Sequence, residues 1–377
     1  ISIMTMGVGA EVWERFGHDA IVVEDRRLGT SVAYSYGMFS FRQDNFLLRF
    51  LQGRMLYWMQ GDDAASELPK YRYLQRSVWQ QELNLTPAQR LAMREFLEWN
   101  ARRENRFYRY DYYRDNCATR VRDAIDRVLG GALRRQMTGP ASGTYRFHTQ
   151  RLVSNTVPLY TGLLLILGRG VDAPMTKWDE MFLPLELRKY LEEARVPDNT
   201  GALVPLVNEE RTLFESSAFS VPDDPPAWGW GFLLGGLLLG GVFGWGGVMG
   251  RRSRVARWGL FGAGGIWAAV TGVAGAIMVG LWAFTDHVAS ARNENVLQAS
   301  LLALALAGVL PFVARGSSAA TRTARLLGLI LGGLSLLGLV LKVLPSFNQV
   351  NGQILALFVP ANMGLTLGIA AWARKAV

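Results

Sequence analysis

The sequence predicts two domains of different class: an aqueous domain of mixed strands and helices over residues 1–225, then an all-α bundle of about five transmembrane helices over residues 226–377. Its 377 residues leave room for about two domains, and the composition changes abruptly at Pro222-Asp223-Asp224-Pro225-Pro226, which reads as a linker. Before that point charged, aromatic and apolar residues are mixed. After it come long runs of Leu, Gly, Ala and Val with almost no acids.

The spans are read at 228–249, 258–284, 296–314, 324–344 and 353–373, each near the ~20 apolar residues that cross a hydrocarbon core. Gly235, Gly236, Gly240, Gly241, Gly332 and Gly333 would weaken a soluble helix, whereas in lipid such small residues let helices approach closely. Short loops set the orientation. Arg251, Arg252, Arg254 and Arg257, then Arg315, Arg322 and Arg325, then Arg374 and Lys375 mark cytoplasmic flanks. The loops from Thr285 to Asn295 and from Pro345 to Gln353 carry one Arg and no Lys, so they face outward, and residues 1–225 lie outside with them. The net charge of +9 therefore calls for no nucleic acid: part is topological signal, and Arg102, Arg103, Arg106 and Arg109 suit an anionic lipid surface. The opening residues Ile1 to Met6 alternate like a strand and show no signal peptide, so an export signal is expected to have been removed or to lie outside this sequence.

In the aqueous domain, Ala20 to Glu24 and Ser31 to Tyr36 flank the turn-like Asp25-Arg26-Arg27-Leu28-Gly29 and predict an antiparallel pair, with His18 just before the first strand. Residues 43–59 are apolar and aromatic with scattered Arg. They read as a core-packing helix, or else as a segment dipping into the membrane interface as a lid or lipid guide. A capped helix starts at Thr86-Pro87-Ala88-Gln89 and is expected to reach about Arg103. Beyond an aromatic run, apolar residues at 117, 118, 121, 124, 125 and 128 have helical spacing, with Asp115 or Asn116 as the cap. Cys117, the sole cysteine, thus falls in the first turn of a helix, where the positive dipole end favours a thiolate and can receive an oxyanion. A base could come from His18 or His148, since His287 sits in an outward membrane loop. His18, beside Gly17, has more room for a substrate. The plainer alternative is a buried Cys with a structural His.

Four segments of the aqueous domain, Phe16 to Ile21, Tyr34 to Phe39, Asp115 to Arg120 and Met181 to Pro184, resemble the Lnb family of bacterial lipoprotein N-acyltransferases. Thr285-Asp286-His287 and Asn293 to Leu297 extend the likeness into the membrane half. The resemblance implies an α+β papain-like domain of circularly permuted NlpC/P60 type, with its His-bearing strand ahead of its Cys-bearing helix. Lecithin:retinol acyltransferase is similar, including an Asn-Cys pair that matches Asn116-Cys117. It also implies a multi-pass protein of the bacterial inner membrane, with a periplasmic N-terminal domain and a cytoplasmic C-terminus. Cys117, activated by His18, would take a fatty acyl group from a membrane phospholipid as a thioester and pass it to the α-amine of a diacylglyceryl apolipoprotein. No cofactor is implied; the phospholipid is itself the acyl donor.

Tyr36 or Ser35 could orient His18, and Asn116 could orient it or help hold the oxyanion. Asp19 is expected on the opposite face from His18 in a structural role, Arg120 and Asp123 as an ion pair, and His148 as structural. Asp286, His287, Asn293, Glu294 and Asn295 cluster at a membrane boundary, where they would bind the phospholipid head group or the incoming amine, or else cap neighbouring spans. Asn348, Gln349 and Asn351 present a weaker version of the same case. Rival readings are a membrane-anchored NlpC/P60 peptidase or amidase acting on peptidoglycan, a thiol phospholipase, and a receptor or transporter accessory with a structural Cys. Three scattered His and one Cys have no metal-ligand spacing, and no dinucleotide fingerprint or phosphate loop stands out.

Overall fold

Residues 1–155 and 173–225 form one unit, and residues 156–172 and 226–377 a second, in a computed structural model that describes residues 1–374. Lys375, assigned above to a cytoplasmic flank, lies outside the described residues. Residues 156–172, placed by the sequence reading in the aqueous domain, pack with the membrane helices instead.

The first unit contains nine strands: β1 (Ser2–Met6), β2 (His18–Asp25), β3 (Thr30–Met38), β4 (Leu56–Asp63), β5 (Val78–Leu83), β6 (Phe107–Arg109), β7 (Arg195–Pro197), β8 (Leu203–Pro205) and β9 (Val207–Phe214). Seven of them form an antiparallel sheet in the order β6-β4-β3-β2-β1-β5-β9, while β7 and β8 pair separately. The expected pair around Asp25 is β2 and β3, and the Asp25 carboxylate accepts the N–H groups of Arg27 and Leu28 in the turn.

Its helices are α1 (Phe46–Gln52), α2 (Ala64–Tyr73), α3 (Pro87–Asn100), α4 (Cys117–Val128), α5 (Ala132–Gln136) and α6 (Tyr145–Leu152). After α7 (Val157–Ile166), which belongs to the second unit, come α8 (Lys177–Glu180) and α9 (Pro184–Glu193). Helix α3 carries the predicted capping box: Thr86 Oγ1 accepts the Gln89 N–H and Gln89 Oε1 the Thr86 N–H. It ends at Asn100, earlier than expected.

Strand alternation sorts the sheet's side chains onto two faces. Ile3, Ile21, Tyr34 and Tyr36 pack with Ala118, Val121 and Ile125 of α4. Met4, Met6, Ala20, Val22 and Ala33 pack with Tyr71 and Leu68 of α2. Below the first face, the buried Glu180 carboxylate accepts hydrogen bonds from the Ser142 and Gly143 N–H groups, the Ser142 hydroxyl, His148 Nε2 (2.6 Å) and the Tyr190 hydroxyl. Burial would raise its pKa, but the bonds from His148, Ser142 and Tyr190 outweigh it and hold the value down to about 2. Arg151 Nε donates to His148 Nδ1 at 3.0 Å, so His148 is fully engaged as a structural residue.

The second unit has α10 (Gly229–Met249), then α11 (Arg254–Trp258), which continues through a π turn into α12 (Gly264–Phe284), then α13 (Ala303–Ala314), α14 (Ser318–Val340) and α15 (Gly352–Arg374). Among the described residues four helices are long and apolar enough to cross a membrane: 229–249, 254–284, 318–343 and 352–374. The expected third span at 296–314 is helical only over the 12 residues of α13, about 18 Å long. The chain before it forms a 3₁₀ turn at Glu294–Leu297, because Asn293, Asn295 and Gln298 are buried and find their hydrogen-bond partners outside a continuous helix.

Small residues bring α10 and α15 together: a Cβ on Gly364 would lie 2.2 Å from the Gly240 Cα. Replacing Gly364 by Val is expected to abolish the monodisperse species seen by fluorescence size-exclusion chromatography in detergent. Glu180→Gln strips the charge from a buried, fully hydrogen-bonded carboxylate and should cost about 3 kcal/mol or more, read as a lowered melting temperature.

Candidate active site around Cys117

The start of α4 is built by a second capping box. Asn116 Oδ1 accepts the Thr119 N–H at 3.0 Å, and Thr119 Oγ1 accepts the Asn116 N–H at 2.7 Å. The Asn116 amide also donates to the Tyr112 and Phe182 carbonyls at 3.0 and 2.9 Å. Its side chain is thus consumed in fixing the helix end to the Met181-Phe182 loop and is not an oxyanion donor. Asp115 pairs with Arg120 and Asp123 with Arg122, which corrects the expected Arg120–Asp123 pair.

Cys117 fills an opening in the sheet. The β2–β3 ladder stops at the pair Ala20↔Ser35. Beyond it β3 turns at Gly37, whose φ of 85° suits glycine. A Cβ on Gly37 would lie 3.6 Å from the Cys117 Cβ. The next N–H along β2, that of Asp19, lies near the Cys117 sulfur, as does the Ala118 N–H in the first turn of α4. These donors favour a thiolate, but desolvation and the neighbouring Asp19 charge outweigh them and push the thiol up to about 12. The thiolate expected from the helix dipole is therefore not the resting form.

His18 begins β2, next to the Asp19 N–H that lies near the sulfur, and is half-buried. By alternation it shares the α2 face with Ala20 and Val22. Burial, then the Arg76 and Lys70 charges, lower its pKa to about 3. Arg76 is itself buried, donates to the Gly7 carbonyl at 2.8 Å and pairs with Glu14 at 3.3 Å. The resting site thus holds a neutral thiol and a neutral imidazole.

The two residues proposed to orient His18 part company. Tyr36 packs on the α4 face and donates its hydroxyl to Asn100 Oδ1 at 2.7 Å, which removes it from that role. Ser35 pairs with Ala20, on His18's face.

Asp19 lies opposite His18, as expected, but that is the face of Thr5, Ile21 and Cys117. Thr5 Oγ1 donates to its Oδ1 at 2.8 Å, while the buried Oδ2 has no partner. Burial raises its pKa to about 7, against the Thr5 bond. Alternation alone could not reveal this, because it does not say on which face α4 lies.

The remaining predicted site residues belong to the second unit. Asn293 and Asn295 are buried, and their amides donate to the Leu165 and Leu164 carbonyls at the end of α7 at 2.6 and 2.9 Å. Glu294 pairs with Lys342 at 2.5 Å and accepts the Gln349 N–H. Gln349 donates to the Leu167 carbonyl, and Asn351 donates to Asn295 at 2.8 Å. The two asparagines and Glu294 therefore hold the unit together, in place of the ligand contacts expected of them. Asp286 and His287 are half-exposed next to a 3₁₀ turn.

In the folded chain Asp19 keeps its proton up to about pH 7, against the ordinary 3.8. Its contribution to stability is full below about pH 4, falls as pH rises toward 7 and is lost above. Asp19→Asn should therefore melt higher than wild type at about pH 8 and equally near pH 4, by differential scanning fluorimetry. With that charge gone, iodoacetamide should alkylate the single cysteine faster at about pH 8.

Comparisons with curated proteins and with solved structures found no match. Residues 1–154 match the family model of the Lnb N-terminal periplasmic domain, a stretch that holds His18, Asp19, Gly37 and Cys117. Residues 1–154 of the chain are thus an Lnb N-terminal periplasmic domain.

Proposed function

We propose that the protein is an apolipoprotein N-acyltransferase, transferring a fatty acyl group from a membrane phospholipid through a Cys117 thioester to the α-amine of S-diacylglyceryl-cysteine. The observation that carries this reading is the single cysteine of an Lnb domain, set at a helix N-terminus beside the His18 strand in a chain with membrane-spanning helices. The element order, His-bearing strand before Cys-bearing helix, supports a circularly permuted papain or NlpC/P60 relationship.

Because thiol and imidazole are both neutral at rest, attack is of the general-base kind. As the sulfur bonds to the ester carbonyl carbon, His18, on the other face of the sheet, takes the thiol proton across the opening at the end of the β2–β3 ladder, and the carbonyl electrons move onto oxygen. Backbone N–H groups at the sulfur receive that oxyanion, where preorganised donors act most strongly. The C–O bond breaks, His18 returns its proton to the departing lysophospholipid oxygen, and the thioester remains. The amine of the diacylglyceryl-cysteine then attacks, His18 takes its proton, the C–S bond breaks and the thiol re-forms. The thioester preserves the acyl-transfer potential of the ester, and formation of the amide makes the sequence irreversible.

The same reading places the protein in the bacterial inner membrane with the C-terminus in the cytoplasm. The short α13 and the 3₁₀ turn before it then make a broken third crossing. Such irregular backbone is tolerated at membrane depth where protein surrounds it.

Intact mass of the purified full-length protein after incubation with phospholipid and no acceptor tests the reading. Wild type should gain a fatty-acyl adduct that neutral hydroxylamine releases and a diacylglyceryl-cysteinyl peptide discharges; Cys117→Ala should gain none. His18→Ala should slow acylation by about 10²-fold or more at an unchanged melting temperature. Absence of an adduct in wild type that cleaves a muropeptide instead would sink the proposal in favour of a peptidase.

A further inference from the structure

Helix α1 hides none of its side chains: Leu47 is 67% exposed, Leu48 53%, Phe50 40% and Leu51 54%. Phe41 and Trp13, 63% and 54% exposed, extend this rim. Left-handed residues at both ends, Asn45 (φ 57°) and Gly53 (φ 70°), make α1 a self-contained projecting turn. The core-packing role expected for residues 43–59 does not hold for it.

The rim continues inward as an unbroken file of rings. Trp13 meets Phe41 at 5.9 Å, Phe41 meets Phe46 at 5.1 Å, and Phe46 stacks on Phe39 at 6.2 Å. Phe39 stacks on Tyr57 at 5.1 Å and Tyr57 on Tyr110 at 4.2 Å. Tyr110 ends beside Gly37, where a Cβ would lie 3.8 Å from its ring and 3.6 Å from the Cys117 Cβ. Exposure grades from open at Trp13, Phe41 and Leu47 to half-buried at Phe39, Tyr57, Tyr110 and Cys117.

We infer that this tract is the binding site for one fatty-acyl chain of the donor phospholipid, entered from the bilayer surface through α1; the assignment rests on the acyl-transfer reading above. The chemistry of the rim selects a lipid over a protein partner. Arg42, Arg49 and Arg54 alternate with the exposed leucines and phenylalanines, and Asp44 is the only acid from 40 to 55. Cations interleaved with apolar residues on a short helix suit the boundary between phosphate head groups and acyl chains. A flexible hydrocarbon chain also matches a file of offset rings that offers dispersion contact and almost no hydrogen bonds.

The test uses full-length Cys117→Ala protein, which cannot consume the donor, in nanodiscs of phosphatidylethanolamine and phosphatidylglycerol doped with a phospholipid carrying a mid-chain diazirine. After illumination, peptide mass spectrometry should find lipid adducts on Phe39, Phe46, Tyr57 or Tyr110. Leu47→Glu with Leu51→Glu, both exposed in the wild type and so expected to leave the melting temperature unchanged, should cut that labelling at least tenfold. Adducts confined to residues beyond Pro226 overturn the proposal, as does a dimeric particle with an unlabelled rim, which would assign the rim to a second copy. The thioester assay on wild type keeps the two ideas apart. A thioester without tract adducts leaves acyl transfer standing and removes the tract; tract adducts without a thioester keep the lipid site and remove the chemistry.

Discussion

The Cys117 sulfur sits where the β2–β3 ladder ends, and the rest of the site depends on that substitution of sulfur for strand. Were the ladder to continue past Ala20↔Ser35, the Asp19 N–H would face β3 and α4 could not bring its first residue into the sheet. Gly37 makes room by turning β3 aside at a positive φ, and Asn116 fixes the helix end by spending its whole side chain on Thr119, Tyr112 and Phe182. Fixed at a capped helix end in the sheet opening, the thiol has little freedom to drift, as the proposed acyl transfer would require.

The same enclosure determines protonation. Nearby backbone N–H groups and a helix N-terminus would ordinarily lower a thiol's pKa, yet burial and the adjacent Asp19 carboxyl push this one up to about 12 while burial pushes His18 down to about 3. Charge separation between thiol and imidazole is therefore costly. A thiol kept neutral is also protected from oxidation and stray alkylation. Asp19 works in this sense: protonated it is a neutral neighbour, ionised it raises the cost of the thiolate further.

Much of this was legible because it rests on local rules. The capping residues Thr86, Gln89 and Asn116, the turn at Asp25 and the helical spacing after Cys117 each act within a few residues, and each appears in the structure where the sequence puts it. What stayed hidden depends on partners distant in sequence. Phe46 to Gln52 reads the same whether it packs in a core or meets lipid, since both environments want Leu and Phe, and only the exposure of α1 separates them. The position of Asp19 relative to Cys117 needed the location of α4, and the hydroxyl of Tyr36 needed Asn100, 64 residues away.

Helix α7 is the clearest case of long-range control. Its 10 residues are too few to suggest a crossing, so sequence places them in an aqueous core. In the second unit they leave carbonyls at Leu164, Leu165 and Leu167 that an apolar surrounding cannot satisfy, and each unsatisfied group there costs several kcal/mol. Asn293, Asn295 and Gln349, some 130 to 180 residues later, supply the donors. That requirement explains why polar residues interrupt the third apolar run and shorten it to α13. It also explains why the asparagines of the family-like Asn293 to Leu297 segment are buried, leaving Asp286 and His287 as the half-exposed members of the cluster. A polar cluster at a membrane boundary thus has a structural demand to meet: the carbonyls at the end of α7 must find donors before the apolar run can continue.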